Sequence, residues 1–204
     1  MEPAKLQFSP QEMHLVSNAE WILTKNEILN KIASLMGSLN IIQKNIMAGQ
    51  AHSFPAEIMA TTAKISRGEN YQGLPYLVLD YPRLFTRDHI FAIRSLFRWG
   101  RNLSTTLHIS GKWRQVFADK ILQQHQFLQQ NNFLIATGED EWVHDVAGQH
   151  YTLANHFTTT DLQQILESKS FFKLAVFAPV TEINHAVQVW EQQFKKIMQV
   201  ISHQ

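Results

Sequence analysis

Cysteine is missing altogether. Its absence rules out disulfides, thiolate metal centres and a cysteine nucleophile. Glycine is scarce, at eight residues in 204, and none falls in a Walker A, Rossmann or Gly-x-Ser-x-Gly pattern. Nucleotide hydrolysis and dinucleotide redox chemistry are therefore disfavoured. Charge is sparse as well, at 17% of residues, so the surface must lean on Gln, Asn, Ser and Thr. Uncharged apolar runs such as Leu174–Val180 fall far short of the roughly 20 residues a membrane-spanning helix needs. Met1–Phe8 has no basic stretch leading into an apolar run, so no secretory signal is expected and a cytoplasmic setting is. The chain has ten histidines but no His-x-x-x-His or His-Glu-x-x-His spacing. His144, His150 and His156 fall near one another in sequence, but without Cys or a helical ligand pair no metal and no cofactor are expected.

What is present is a segregated charge. Between residues 83 and 114 stand Arg83, Arg87, Arg94, Arg98, Arg101, Lys112 and Arg114, with Asp88 the one acid. That stretch carries a net +6 in a chain whose net charge is +1. Such segregation calls for a surface to display it or an anion to meet it. Phe85, Phe91, Phe97, Trp99 and Trp113 are threaded through it. Basic residues among aromatics suit nucleic acid, but a pI near 8.1 and a core role for the aromatics argue against that partner.

The hydrophobic share of 45% is enough for a sizeable core in one domain. Two helices are expected over residues 1–48. Ser9-Pro10-Gln11-Glu12 is a capping box, and Thr24 to Glu27 repeats the pattern. Ile28, Ile32, Leu35, Leu39, Ile42 and Ile46 then form a stripe with alternating spacings of four and three. It reads as a face packed on its own domain, with a seam shared by a homodimer as the alternative. Residues 49–73 read as a connection with room to move, holding one short helix over 56–65. Residues 74–204 read as the main domain.

There, Tyr76–Tyr81 is strand-like, with Pro82 ending it or marking an edge. Residues 89–99 fit a strand or a helix; aromatic and β-branched content favours the strand. Leu103, Thr105, Leu107 and Ile109 alternate with Ser104, Thr106, His108 and Ser110. A hairpin with the loop Gly100-Arg101-Asn102 follows, pairing Trp99 with Leu103, Arg98 with Ser104 and Arg94 with His108. An amphipathic helix over 113–130 is expected to bury Trp113, Val116, Phe117, Ile121 and Leu128. Short strands are expected over 133–137, 141–146 and 150–154, a helix after Thr158, a strand over 171–180 and a last helix over 182–201. The fold class is α+β: a mainly antiparallel sheet packed with helices and preceded by an N-terminal helical pair.

The wording Asn70-Tyr71-Gln72-Gly73-Leu74-Pro75-Tyr76, continued by Leu79-Asp80-Tyr81-Pro82-Arg83, Trp99-Gly100 and Thr106 to Gly111, resembles a family of uncharacterised bacterial cytoplasmic proteins. That resemblance implies a bacterial, cytoplasmic setting and no functional residue.

The polar face of the hairpin gathers Arg94, Arg98, Ser104, Thr106 and His108, and Asp80 joins if residues 76–81 pair alongside. Arginine forks and hydroxyls suit phosphate and carboxylate. The expected function is a binding or assembly module whose basic hairpin face meets an anionic ligand or protein surface. The alternative is a small-molecule enzyme with Asp80, Arg94 and His108 in one pocket. The acidic run Glu139, Asp140, Glu141 and Asp145 reads as a solvated loop, or as a partner for the basic stretch in another molecule.

Overall fold

The computed structural model describes residues 6–202. Helix α1 (Pro10–Ser17) starts from the Ser9/Glu12 capping box. Asn18 then interrupts the backbone and caps α2 (Ala19–Gly49) by accepting from the Glu20 N–H. The second helix thus begins five residues before the Thr24 box, which lies inside it. Short α3 (Ala56–Met59) follows.

Strands β1 (Lys64–Tyr71), β2 (Leu74–Phe85), β3 (Ile90–Arg98) and β4 (Asn102–Ser110) come next. Helices α4 (Lys112–Gln123) and α5 (His125–Gln130) divide the expected single helix at Gln124. Strands β5 (Leu134–Ala136) and β6 (Tyr151–Leu153) bracket a long segment, residues 137–150. Helix α6 (Thr159–Ser168), β7 (Phe171–Pro179) and α7 (Ala186–Ile201) complete the chain. The described residues form one sheet in the order β1-β2-β3-β4-β7-β5-β6, and each neighbouring pair is antiparallel. The fold is α+β, as its pattern of elements implies.

Several expectations change. The weakly patterned 49–73 carries α3 and the edge strand β1, which is paired along β2. Its sequence, Lys-Ile-Ser-Arg-Gly-Glu-Asn-Tyr, has the charges that keep an edge from pairing with other chains, and those charges hide the alternation. Pro82 does not end its strand; it sits in a bulge between Asp80 and Arg83, where a missing N–H is tolerated. The β3–β4 register is Phe97 with Leu103 and Arg94 with Thr106. That is two residues from the expected one, because Gly100, not Asn102, is the positive-φ residue of the turn. A slip of two leaves every side chain on its expected face. Residues 141–146 form no strand, and Val116 is exposed.

One face of the sheet is apolar. Leu77, Leu79, Phe91, Ile93, Phe97, Leu103, Leu107, Leu174 and Val176 meet α2, α4 and α7 in the main core. The α2 stripe serves this core. Ile32 and Leu39 are buried, and Ile28, Leu35 and Ile46 pack against it. Ile28, Leu35, Ile42 and Ile46 are half-buried. The deepest line of the helix is Leu29, Ile32, Met36, Leu39, Gln43 and Met47. Exposed apolar residues lie earlier, among them Phe8, Val16, Trp21 and Leu23, and also at Ile41 within this stretch. None of the described helices is long and apolar enough to cross a membrane.

Two glutamines pin helices to this apolar face. Gln43 donates to Ser95 Oγ at 3.1 Å. Gln193 accepts from Thr105 Oγ at 2.9 Å and donates to the Leu103 carbonyl at 3.2 Å. Removing Gln193 strands buried Thr105 without its partner. Gln193→Ala is expected to cost about 1–3 kcal/mol, measured by urea denaturation; a change within error would mean that the α7 contact is made by packing alone.

Candidate functional site

The other face of the sheet is polar, and strand alternation puts all six sequence candidates on it. Their positions follow rows of registered residues. Lys64, Asp80, Arg94 and Thr106 face one another across β1 to β4. The next row is Ser66, Val78, Leu96 and Ser104, and the third runs through Gly68, Tyr76 and Arg98. His108 stands opposite Lys173 of β7.

Residues 137–150 cross this face as a strap. Val143 and Val146 pack into a second small core with Leu134, Ala136, Tyr151, Phe171 and Ala175. Further fastenings are polar. Lys173 Nζ donates to the carbonyls of Glu141 (3.0 Å) and Val143 (2.6 Å). Arg98 Nη1 donates to Asp145 Oδ1 at 2.6 Å, and Arg98 Nη2 to Gln72 Oε1 at 2.7 Å. The His144 N–H donates to the Tyr71 hydroxyl at 2.7 Å. Lys169 holds the start of the strap through the Thr137 and Gly138 carbonyls and Glu139. Of the acidic run, Asp145 meets a cation of the basic stretch inside one molecule, through Arg98.

Arg94 is the most constrained cation. Its Nε donates to Asp80 Oδ1 at 2.7 Å and its Nη2 to Asp80 Oδ2 at 3.0 Å. Its Nη1 donates to His144 Nε2 at 2.7 Å. Guanidinium has no acceptor, so His144 Nε2 carries a lone pair and the ring is neutral. Burial, then the charges of Lys173 and Arg94, pushes this imidazole down to about 2. The same causes hold His108 down to about 3. Its contact with Glu141 Oε2, at 3.0 Å, is therefore a hydrogen bond donated by a neutral ring. Burial raises the Glu141 carboxyl. Burial, with Arg94 adding to it, brings Lys173 down to about 7. Burial opposes ionisation of Asp145, but the Arg98 hydrogen bond and charge prevail and its carboxyl falls below the usual range.

Between the strap edge and β1–β3 the polar face stays open as a cleft of about 470 Å³. Asp80, Arg94 and Arg98 line it. Ser104, Thr106 and His108 are buried and lie outside it. His108 is closed off by Glu141 and by the Trp142 ring, which meets it edge-on at 5.7 Å. Asp80, Arg94 and His108 thus share a face but not a pocket.

Other lining residues are not evident from sequence pattern: Lys64, Ser66, Tyr71, Arg83, Phe85, Trp142 and His144. Arg83 has an odd number, like the core residues Leu79 and Tyr81, and simple alternation sends it to the helices. The bulge reverses its face. A proline inside a strand is the signal that points to such a reversal. The Arg83 N–H donates to Thr61 Oγ at 3.2 Å, while its Nε is buried without a partner. Among the described residues neither Arg83 nor Lys64 has a carboxylate partner. Four cations therefore line the cleft, and two carboxylates, Asp80 and Asp145, meet them.

No protein-family model, no curated protein and no solved structure matches this chain. What the protein does must be inferred from the cleft itself.

Proposed function

We propose that the protein is a binding module that takes a small organic anion into this cleft. The observation that carries the reading is Arg83, a cation turned to the cleft by a bulge and, among the described residues, without a carboxylate partner. Among the described residues Lys64 adds a second cation with no carboxylate partner, and Arg94 keeps two N–H groups beyond the three it uses. The cleft volume falls in the range of small-molecule sites.

Binding suits the site better than catalysis. The His144 lone pair is taken by Arg94, and His108 is walled off. Neither imidazole is free to carry a proton for a ligand.

A thermal-shift panel of organic phosphates and carboxylates tests this reading. Members of the panel are expected to raise the Tm of the native protein. Arg83→Ala is expected to melt near the native temperature and to lose that rise, with affinity down at least about tenfold. Equal rises in both proteins would place the anion elsewhere.

A further inference from the structure

The ligand class can be narrowed, on the footing that the cleft binds an anion. We infer that the cleft is built for a planar aromatic molecule bearing a phosphomonoester. Three observations lead there.

The first is charge. With Asp80 set against Arg94 and Asp145 against Arg98, Lys64 and Arg83 remain without carboxylates among the described residues. Two cations that line one cleft, Arg83 half-buried and Lys64 exposed, can meet two negative charges of one ligand. A monoanion leaves one of them unmet. A phosphomonoester carries close to two charges at neutral pH, since its second pKa is about 6.

The second is the direction of approach. Lys64 comes from β1, Arg83 from β2 and Arg94 from β3, and Asp80 pairs in register with both Lys64 and Arg94. Asp80 and His144 fix the Arg94 guanidinium, so its remaining N–H groups have a set direction. Donors on three strands that line one cleft match the three terminal oxygens of a phosphate. A carboxylate offers two oxygens in one plane.

The third is the floor. Beside the row of cations lies the row Val78–Leu96, two apolar side chains in direct register. Successive rows on one face are about 7 Å apart, close to the reach from a phosphate to the centre of an attached ring. Tyr71 and Tyr76 close the far end, packed edge to face with centroids 6.1 Å apart. Phe85 and Trp142 stand at the opposite end, stacked at 6.4 Å. Gly68 makes room for this wall, because a Cβ there would strike the Tyr76 ring. A ring over Val78 and Leu96 puts its phosphate among Lys64, Arg83 and Arg94.

Calorimetric titrations with four compounds at pH 7.5 separate the elements of this claim: 1-naphthyl phosphate, 1-naphthyl sulfate, 1-naphthoate and inorganic phosphate. The phosphate ester is expected to bind at least about tenfold tighter than each of the others, and to weaken below pH 6 as it takes up a proton. Lys64→Gln is expected to shrink the preference for phosphate over sulfate, and Trp142→Ala the preference for the ester over inorganic phosphate. Both side chains are exposed, so the fold tolerates their loss. If sulfate or naphthoate matches the phosphate ester while all bind, the cleft is an anion site but the dianion claim falls. If inorganic phosphate matches it, the aromatic claim falls. If none of the four binds, the anion reading itself falls with them.

Discussion

Replacing Asp80 with alanine is expected to lower the stability of the protein by about 3 kcal/mol. Asp80 accepts two hydrogen bonds from Arg94, at 2.7 and 3.0 Å, with the two side chains 8% and 17% exposed. Taking one member from such a pair leaves the other charge desolvated, at a cost of about 3–5 kcal/mol when burial is complete. The residual exposure of Arg94 sets the expectation at the lower end. After the substitution His144 is its one remaining partner. Asp80→Asn keeps one acceptor and is expected to cost roughly half as much. The control is Arg94→Leu combined with Asp80→Leu, which removes both charges and recovers most of the loss. Urea denaturation followed by tryptophan fluorescence gives all of these numbers. A loss below about 1 kcal/mol for Asp80→Ala would mean that water reaches the pair freely and that the cleft floor is not a low-dielectric site.

The pairing of Asp80 with Arg94 is legible in the sequence through parity, not through register. Tyr76, Val78 and Asp80 share one parity, as do Arg94, Arg98, Ser104, Thr106 and His108, and parity survives a register error of two. The turn that sets the register is ambiguous in the sequence because Asn102 and Gly100 both accept positive φ; Gly100 adopts it, at 64°. Parity fails only where a bulge intervenes, and Arg83, the cation that best marks the site, lies just past one. Local patterning carries less where pairing is non-local. Nothing within Lys64–Tyr71 announces a strand until β2 lies beside it. The stretch 141–146 has strand-like residues, yet β7 already has its neighbours, β4 and β5. It crosses the sheet face instead.

The segregated charge of residues 83–114 divides in the same way. Its excess is real, and part of the anion it calls for is the chain's own strap. Asp145 meets Arg98, while Asp80 on the neighbouring strand meets Arg94. These contacts consume the cations at the covered end of the face. Arg83 and Lys64, at the open end, are left over. A charge count along the sequence sees the total. The position of the strap decides which part remains for a ligand.

The same strap makes acid the largest expected solution effect. His108 and His144 fall from the ordinary 6.5 to about 3 and about 2 in the folded protein. The unfolded chain takes up both protons near pH 6.5, whereas the folded one resists until pH 3 or below. Between those limits the unfolded state binds more protons, so stability is full above pH 6.5 and falls with pH through the window down to about 3. At roughly 1.4 kcal/mol per unit, each histidine is expected to remove about 3 kcal/mol by pH 4. Asp145 acts in the same direction below the ordinary carboxylate range, and Glu141, raised by burial, opposes it. Lys173 contributes in a separate window, with stability rising between about 7 and 10.5 as its buried charge is shed. Urea midpoints at pH 7.5, 5.5 and 4 give the slope, and hydrogen exchange over residues 137–150 locates it. The strap is expected to open before the main core, because a protonated His144 can no longer accept from Arg94. His144→Gln supplies an acceptor that does not titrate, so it is expected to flatten the slope by about half while costing little at pH 7.5. Equal stability at pH 4 and 7.5 in the native protein would show that both imidazoles are solvated and that the strap is not held by neutral rings.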